Sequence, residues 1–150
     1  MAKHEIQLSS TIFHHHQPVQ VRFNDIDVLG HLNNSVYFEF FDLAKLNYFI
    51  DVLGDAFNPD VVGLAVVNVN CDFMAQAFIT EQLEVQTAVT SISERSLRLE
   101  QRLVNVTTGQ VKSVCRAVMA GFDVKAAASA PISDEWRARM NKYENRELKQ

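Results

Sequence analysis

The segment NSVYFEFFDLAKLNYFIDV, residues 34–52, constrains this chain most. Ser35, Glu39, Asp42 and Lys45 recur at spacings of four, three and three. At ~100° per residue the first three fall within roughly 60° of one another, with Lys45 about 60° further round. Nearly every other position is apolar: Val36, Tyr37, Phe38, Phe40, Phe41, Leu43, Ala44, Leu46, Tyr48, Phe49 and Ile50. A helix with so narrow a wet stripe must be wrapped by other elements over most of its circumference. Asn33 or Asn34 can cap its start, and Gly54 marks its stop.

The wrapping has to come from strands. Val19, Val21 and Phe23 alternate with Gln20, Arg22 and Asn24, which predicts a strand over 18–24. Beyond the breaker GDAFNPD, the run VVGLAVVNVNCDFMA is too rich in β-branched residues for a helix and predicts a long strand. Leu83, Val85 and Val89, then Leu97, Leu99 and Leu103, alternate with polar residues on either side of a turn at SERS. TTGQ turns the chain into VKSVCRAVMAGFDV, completing an antiparallel meander. Residues 132–148 predict a peripheral C-terminal helix capped by Ser133, with Asp134 and Glu135 in its first turn. Residues 1–11 carry no pattern and are expected to fray. The result is an α+β class: one curled antiparallel sheet of about five strands around a long helix. At 150 residues and 17.0 kDa the chain suits a single domain.

Composition narrows the function classes. No apolar stretch reaches the eighteen or so residues of a membrane span, so no membrane role is expected. A net charge of −4 and a pI near 5.7 argue against broad nucleic-acid binding, which needs a basic surface. No secretory leader is visible at the N-terminus, so the chain is expected in the cytoplasm. Cys71 and Cys115 lie far apart in strand-like segments with no CxxC spacing, which points to buried reduced thiols.

The polar residues concentrate at the mouth of the apolar helix, in FNDIDVLGHLNN, residues 23–34. Three readings fit. The first is turn and cap chemistry, for which Asp and Asn are suited. The second is metal binding by Asp25, Asp27 and His31, joined by His14, His15 and His16; three consecutive histidines, however, point in different directions. The third is a hydrolytic site. A helix start offers unpaired backbone amides and a positive dipole end that can hold the charge a carbonyl develops under attack. A carboxylate a few residues earlier can attack that carbonyl or take a proton from water.

VRFNDIDVLGHLNNSVYFEFFDLAK, residues 21–45, resembles the motif of hotdog-fold acyl-CoA thioesterases of the 4-hydroxybenzoyl-CoA thioesterase type: strand, D-x-D, a glycine–histidine pair, N-N, then a central helix. The order of elements extends the likeness over about residues 18–124. The resemblance implies a catalytic aspartate at Asp27 and a carbonyl-polarising amide at Asn34. It further implies a substrate-binding loop and pocket at Gly30, His31, Asn33 and Tyr37, with Asp25 supporting the loop. For His31, orientation by hydrogen bonding is expected ahead of acid–base catalysis. Lys45 departs from the arginine that many relatives carry.

The activity so implied is cleavage of acyl-CoA to a carboxylic acid and free CoA, with no metal and no cofactor beyond the CoA of the substrate. An acyl-carrier-protein thioesterase and a non-catalytic acyl-CoA or lipid-binding hotdog protein are the alternatives, and a metal-dependent hydrolase is a third. Homodimers, or homotetramers built as dimers of dimers, are the implied assemblies. Arg95, Arg98, Arg102, Lys112 and Arg116 are candidates for CoA phosphate contacts or for a solvated strand face.

Overall fold

The computed structural model describes residues 6–149. The apolar segment forms α1 (Asn34–Leu53), which ends at Gly54, in a positive-φ conformation of 52° that favours glycine, with its amide returning to Ile50 O. The helix feeds two halves of one core. Its first turns place Val36, Tyr37, Phe40 and Phe41 against Leu83, Val85, Leu103 and Cys115. Its last turns place Tyr48, Phe49 and Leu53 against Leu97, Leu99, Met119, Trp136 and Met140. Phe41 is 1% exposed, so truncating it to alanine would cost about 3–5 kcal/mol.

Among the described residues, six strands form one antiparallel sheet: β1 (His15–Val19), β2 (Val62–Phe73), β3 (Leu83–Ile92), β4 (Ser96–Asn105), β5 (Val111–Asp123) and the short β6 (Ala128–Ser129). The order is β1-β3-β4-β5-β2, with β6 on β5. The expected meander is therefore present, and β2 returns to lie at the far edge beside β5. Bulges between Val66 and Asn68, and between Val89 and Ser91, interrupt the register, and such insertions add bend and twist to a sheet that has to curl. Gln101 lies fully buried between Leu99 and Leu103, where its amide donates to Phe41 O at 2.9 Å and Thr87 Oγ1 at 3.0 Å, stitching sheet to helix.

The first strand differs from expectation. It begins at His15 and ends at Val19, and Phe23–Asp25 is a 3-10 turn. The cause is Asp25: its buried carboxylate accepts the Arg22 amide at 2.8 Å and the Arg22 guanidinium at 3.0 Å, so the chain turns where the alternation would continue it. Of the stretch expected to fray, Ser9 is held by Glu100 and Arg102, while residues 1–5 lie outside the described residues.

The C-terminal helix α2 (Asp134–Glu144) is shorter than expected at both ends, capped by Ser133 Oγ on the Trp136 amide and stopped by Asn145 in the left-handed region. It is no mere periphery, since Trp136 and Met140 are core residues. Lys45 does not sit on a wet stripe either. It is buried with its amine 3.3 Å from Asp42, while Phe38, Leu43, Leu46 and Ile50 are exposed. Among the described residues of the single chain, α1 is thus wrapped on one side only.

Candidate active site

Ile26 and Leu32 pair as a two-residue bridge, closing a tight hairpin over Val28, Leu29 and Gly30. The Gly30 amide donates to Asp27 O at 3.0 Å and Gly30 then takes φ 80°, the turn-plus-left-handed-residue pattern of a three-residue hairpin loop. Asp27 locks the loop from inside. Its Oδ1 accepts the Leu29 amide at 2.9 Å and the His31 amide at 3.1 Å, an Asx-type closure that Asp supports readily. Among the described residues, Oδ2 has no protein partner.

The hairpin delivers the chain to α1. Asn33 N donates to Asp25 O at 2.8 Å, and Val36 N to Asn33 O at 3.0 Å. The Asn33 side chain makes no capping bond. Among the described residues, the Asn34 and Ser35 amides consequently lack a protein acceptor, which leaves two of the orphan donors of the helix start unsatisfied by the chain.

Asp27 and Asn34 line one cavity of about 510 Å³, with Leu29, His31, Leu32 and Tyr37 on their side and residues 73–76 on the other. Tyr37 is buried with its ring 5.0 Å from that of Phe73, edge to face, and burial pushes its hydroxyl pKa up, with the Ala77 amide acting in the opposite sense. The His31 ring packs edge to face on Phe78 at 5.2 Å.

Of the residues expected at the site, Asp27, His31, Asn34 and Tyr37 meet at this cavity; Gly30 and Asn33 shape the hairpin and the helix start without lining it. Asp25 is 2% exposed. The hydrogen-bonded Arg22 guanidinium holds its carboxyl below the usual range, against the opposing effect of burial. The histidine run lies elsewhere, at the start of β1 and just before it, where His15 meets Asp51 at 2.8 Å and His16 meets Glu84 at 3.0 Å. Among the described residues, no group of three His, Cys, Asp or Glu is arranged to hold a metal ion.

The basic residues divide as well. Lys112 is buried on Glu81 at 2.7 Å, Arg102 pairs with Glu100, and Arg95 reaches Ser129. Arg98 and Arg116 line a separate depression of about 500 Å³ with Ser9, Asn68 and Asn70. The wall formed by residues 73–76 was missed in the sequence. Its position depends on the distant Lys112, whose carbonyl takes the Met74 and Ala75 amides.

Residues 21–140 match the thioesterase-like superfamily. The chain is 28% identical to YsmA of Bacillus subtilis (strain 168) over 89 residues, 59% of this chain and 60% of YsmA, so that match spans less than two thirds of the relative. It is 23% identical over 125 residues to the long-chain acyl-CoA thioesterase FadM of Escherichia coli (strain K12), covering 81% of this chain and 93% of FadM. Its fold superposes on a thioesterase of Thermus thermophilus, complexed with coenzyme A and Zn, with a TM-score of 0.79 and 25% identity, covering 91% and 98% of the two chains. The sheet curled about one long helix is the arrangement the motif implied, and the chain belongs to the thioesterase-like superfamily with a hotdog fold.

Proposed function

We propose that the protein hydrolyses acyl-CoA thioesters to a carboxylic acid and free CoA. Asp27 and Asn34 line one cavity, where the Asp27 carboxylate has, among the described residues, one oxygen without a protein partner and the Asn34 amide lies at the start of α1; this juxtaposition supports the reading most directly. Asp27 takes a proton from water as the water oxygen attacks the thioester carbonyl, or attacks that carbon itself to form an anhydride that water then opens. In either route the carbonyl oxygen gains negative charge, and the Asn34 amide with the helix dipole stabilises it. Collapse breaks the C–S bond, and the leaving CoA thiolate takes its proton from Asp27 in the first route and, in the second, from the water whose hydroxide opens the anhydride. Oxygen-18 from labelled water enters the protein carboxylate only by the anhydride route.

FadM's named activity and the coenzyme A bound by the Thermus relative support acyl-CoA as the substrate class. Tyr37, Leu29 and Phe73 give the cavity apolar surface suited to an acyl or aryl group. We place the protein nearest the 4-hydroxybenzoyl-CoA type on its D-x-D, glycine–histidine and N-N motif, and in the cytoplasm. A homodimer or homotetramer would cover Phe38, Leu43, Leu46 and Ile50 of α1 and the exposed Val66, Val69 and Phe73 of β2. No helix of the described residues is long and apolar enough to cross a membrane.

The test is thiol release across short, medium, long-chain and aromatic acyl-CoAs, with an acyl-carrier-protein thioester alongside. Turnover of at least one acyl-CoA is expected. Acyl-CoA binding without thiol release would replace hydrolysis with a carrier role, and turnover of the carrier-protein substrate alone would change the substrate class.

A further inference from the structure

The far wall of the cavity, residues 73–76, continues into a loop that is fastened on both of its sides. Toward α1, the Leu32 amide donates to Ala77 O at 2.9 Å, His31 and Phe78 form a backbone bridge, and their rings stack edge to face. Toward the sheet, everything converges on Lys112. Its carbonyl accepts the Met74 amide at 2.8 Å and the Ala75 amide at 3.1 Å, while its ammonium donates to Gln76 O at 2.9 Å. The same ammonium meets Glu81 Oε2 at 2.7 Å. Glu81 returns the chain to the wall by accepting the Phe78 amide on Oε1 at 2.8 Å, and Asn105 donates to its other oxygen at 2.6 Å.

Lys112 is 3% exposed. A lysine–glutamate pair so deeply placed contributes little net stability, because desolvation offsets most of the attraction and an apolar pair would do as well. What an apolar pair cannot supply is direction. The ammonium and carboxylate fix a carbonyl at residue 76 and an amide at residue 78, the two flanks of the Ala77 carbonyl that holds Leu32.

We propose that Lys112 and Glu81 are positioning residues of the thioester site, setting through the 74–78 wall and its bonds to His31 and Leu32 the separation of the Asp27 hairpin from the start of α1. The claim rests on the proposed hydrolysis only for its kinetic consequence. Glu81 holds its charge in place: burial raises its pKa, but the hydrogen bonds from Lys112, Asn105 and the Phe78 amide together outweigh that and leave it lowered.

Glu81→Gln removes the charge while keeping an acceptor for Phe78, and Lys112→Met removes the ammonium; Lys112→Arg is the conservative comparison. In the folded Glu81→Gln protein, amide hydrogen exchange at Leu32 and Met74 should accelerate by roughly tenfold, with Val89 in the distant part of β3 unchanged. On whichever acyl-CoA the parent hydrolyses best, kcat should fall on the order of 10- to 100-fold, with KM held within about threefold. Lys112→Met should reproduce both effects and Lys112→Arg should restore part of kcat. Unchanged exchange at Leu32 overturns the strut. Faster exchange with unchanged kcat overturns its role at the site. A parent inactive on every acyl-CoA sinks the hydrolysis proposal instead, and the exchange measurement still decides whether the pair fixes the wall.

Discussion

Asp27 and His31 are tied twice: the Asp27 amide donates to His31 O at 2.9 Å, and the His31 amide donates to Asp27 Oδ1 at 3.1 Å. The carboxylate proposed for chemistry therefore also closes the turn that carries it. Its orientation comes from backbone amides, and the His31 imidazole is free to pack on Phe78.

That turn depends on Gly30, whose φ of 80° an L-residue rarely adopts. Nothing lies within 4 Å of an added Cβ, so Gly30→Ala meets a backbone cost alone, about 1–2 kcal/mol. Thermal denaturation should show a Tm lower by roughly 2–8 °C, and Gly30→Asn should lose less. Equal Tm for Gly30→Ala and the parent would mean the turn relaxes without cost.

Asn34 occupies the first position of α1, where proline is well accepted because the missing amide has no helical partner. Asn34→Pro should thus leave Tm nearly unchanged while deleting the proposed oxyanion donor. Steady-state kinetics should show kcat lower by about 100- to 1,000-fold. Full activity in a folded Asn34→Pro protein would assign the oxyanion to another donor.

Glu144 is 5% exposed, and Tyr48 Oη at 2.6 Å and the Val89 amide at 3.2 Å both donate to its Oε1. Burial raises its pKa above the ordinary 4.5, and these two hydrogen bonds offset only part of the rise. The group's contribution is then most favourable below pH 4.5 and is lost as pH rises through the folded-state pKa. Glu144→Gln keeps a carbonyl oxygen for both donors and never ionises. Its Tm relative to the parent should climb as pH is raised from 4.5 toward neutrality; a difference independent of pH would contradict the assignment.

Cys71 and Cys115 are direct partners across β2 and β5. The Cys115 thiol and, against the effect of burial, Ser113 Oγ at 3.2 Å favour the Cys71 thiolate, bringing its pKa to about 7, whereas Cys115 is pushed up. Native-state alkylation followed by peptide mass spectrometry should label Cys71 alone, at a rate that rises through about pH 7. Labelling of Cys115 first, or a midpoint near the ordinary thiol value of about 8.5, would reverse the pairing.

Strong periodicity made much of this fold readable. α1 and the strands from Leu83 onward carry strong apolar periodicity, and tertiary packing leaves these elements where that periodicity puts them. The misreadings centre on polar side chains, which a local window assigns to solvent and the fold buries or turns to its own use. Lys45, Gln101, Lys112 and Glu144 look solvated in a local window, yet each is buried, three of them on partners 31 or more residues away. β1 was displaced for a related reason, since Arg22 and Asp25 make a turn that hydrophobic alternation cannot register. At the site, the residues carried by the motif gather correctly around the cavity, while the opposite wall is supplied by the end of β2 and held by β5, a juxtaposition that only topology creates.

Hydrolysis at this site turns on Asp27, and Asp27→Asn probes that role with least disturbance, because the amide oxygen can still accept the Leu29 and His31 amides. With purified, folded protein and the acyl-CoA that the parent hydrolyses best, thiol release should fall by about 100- to 10,000-fold. Hydrolysis by Asp27→Asn at the parental rate would contradict the account.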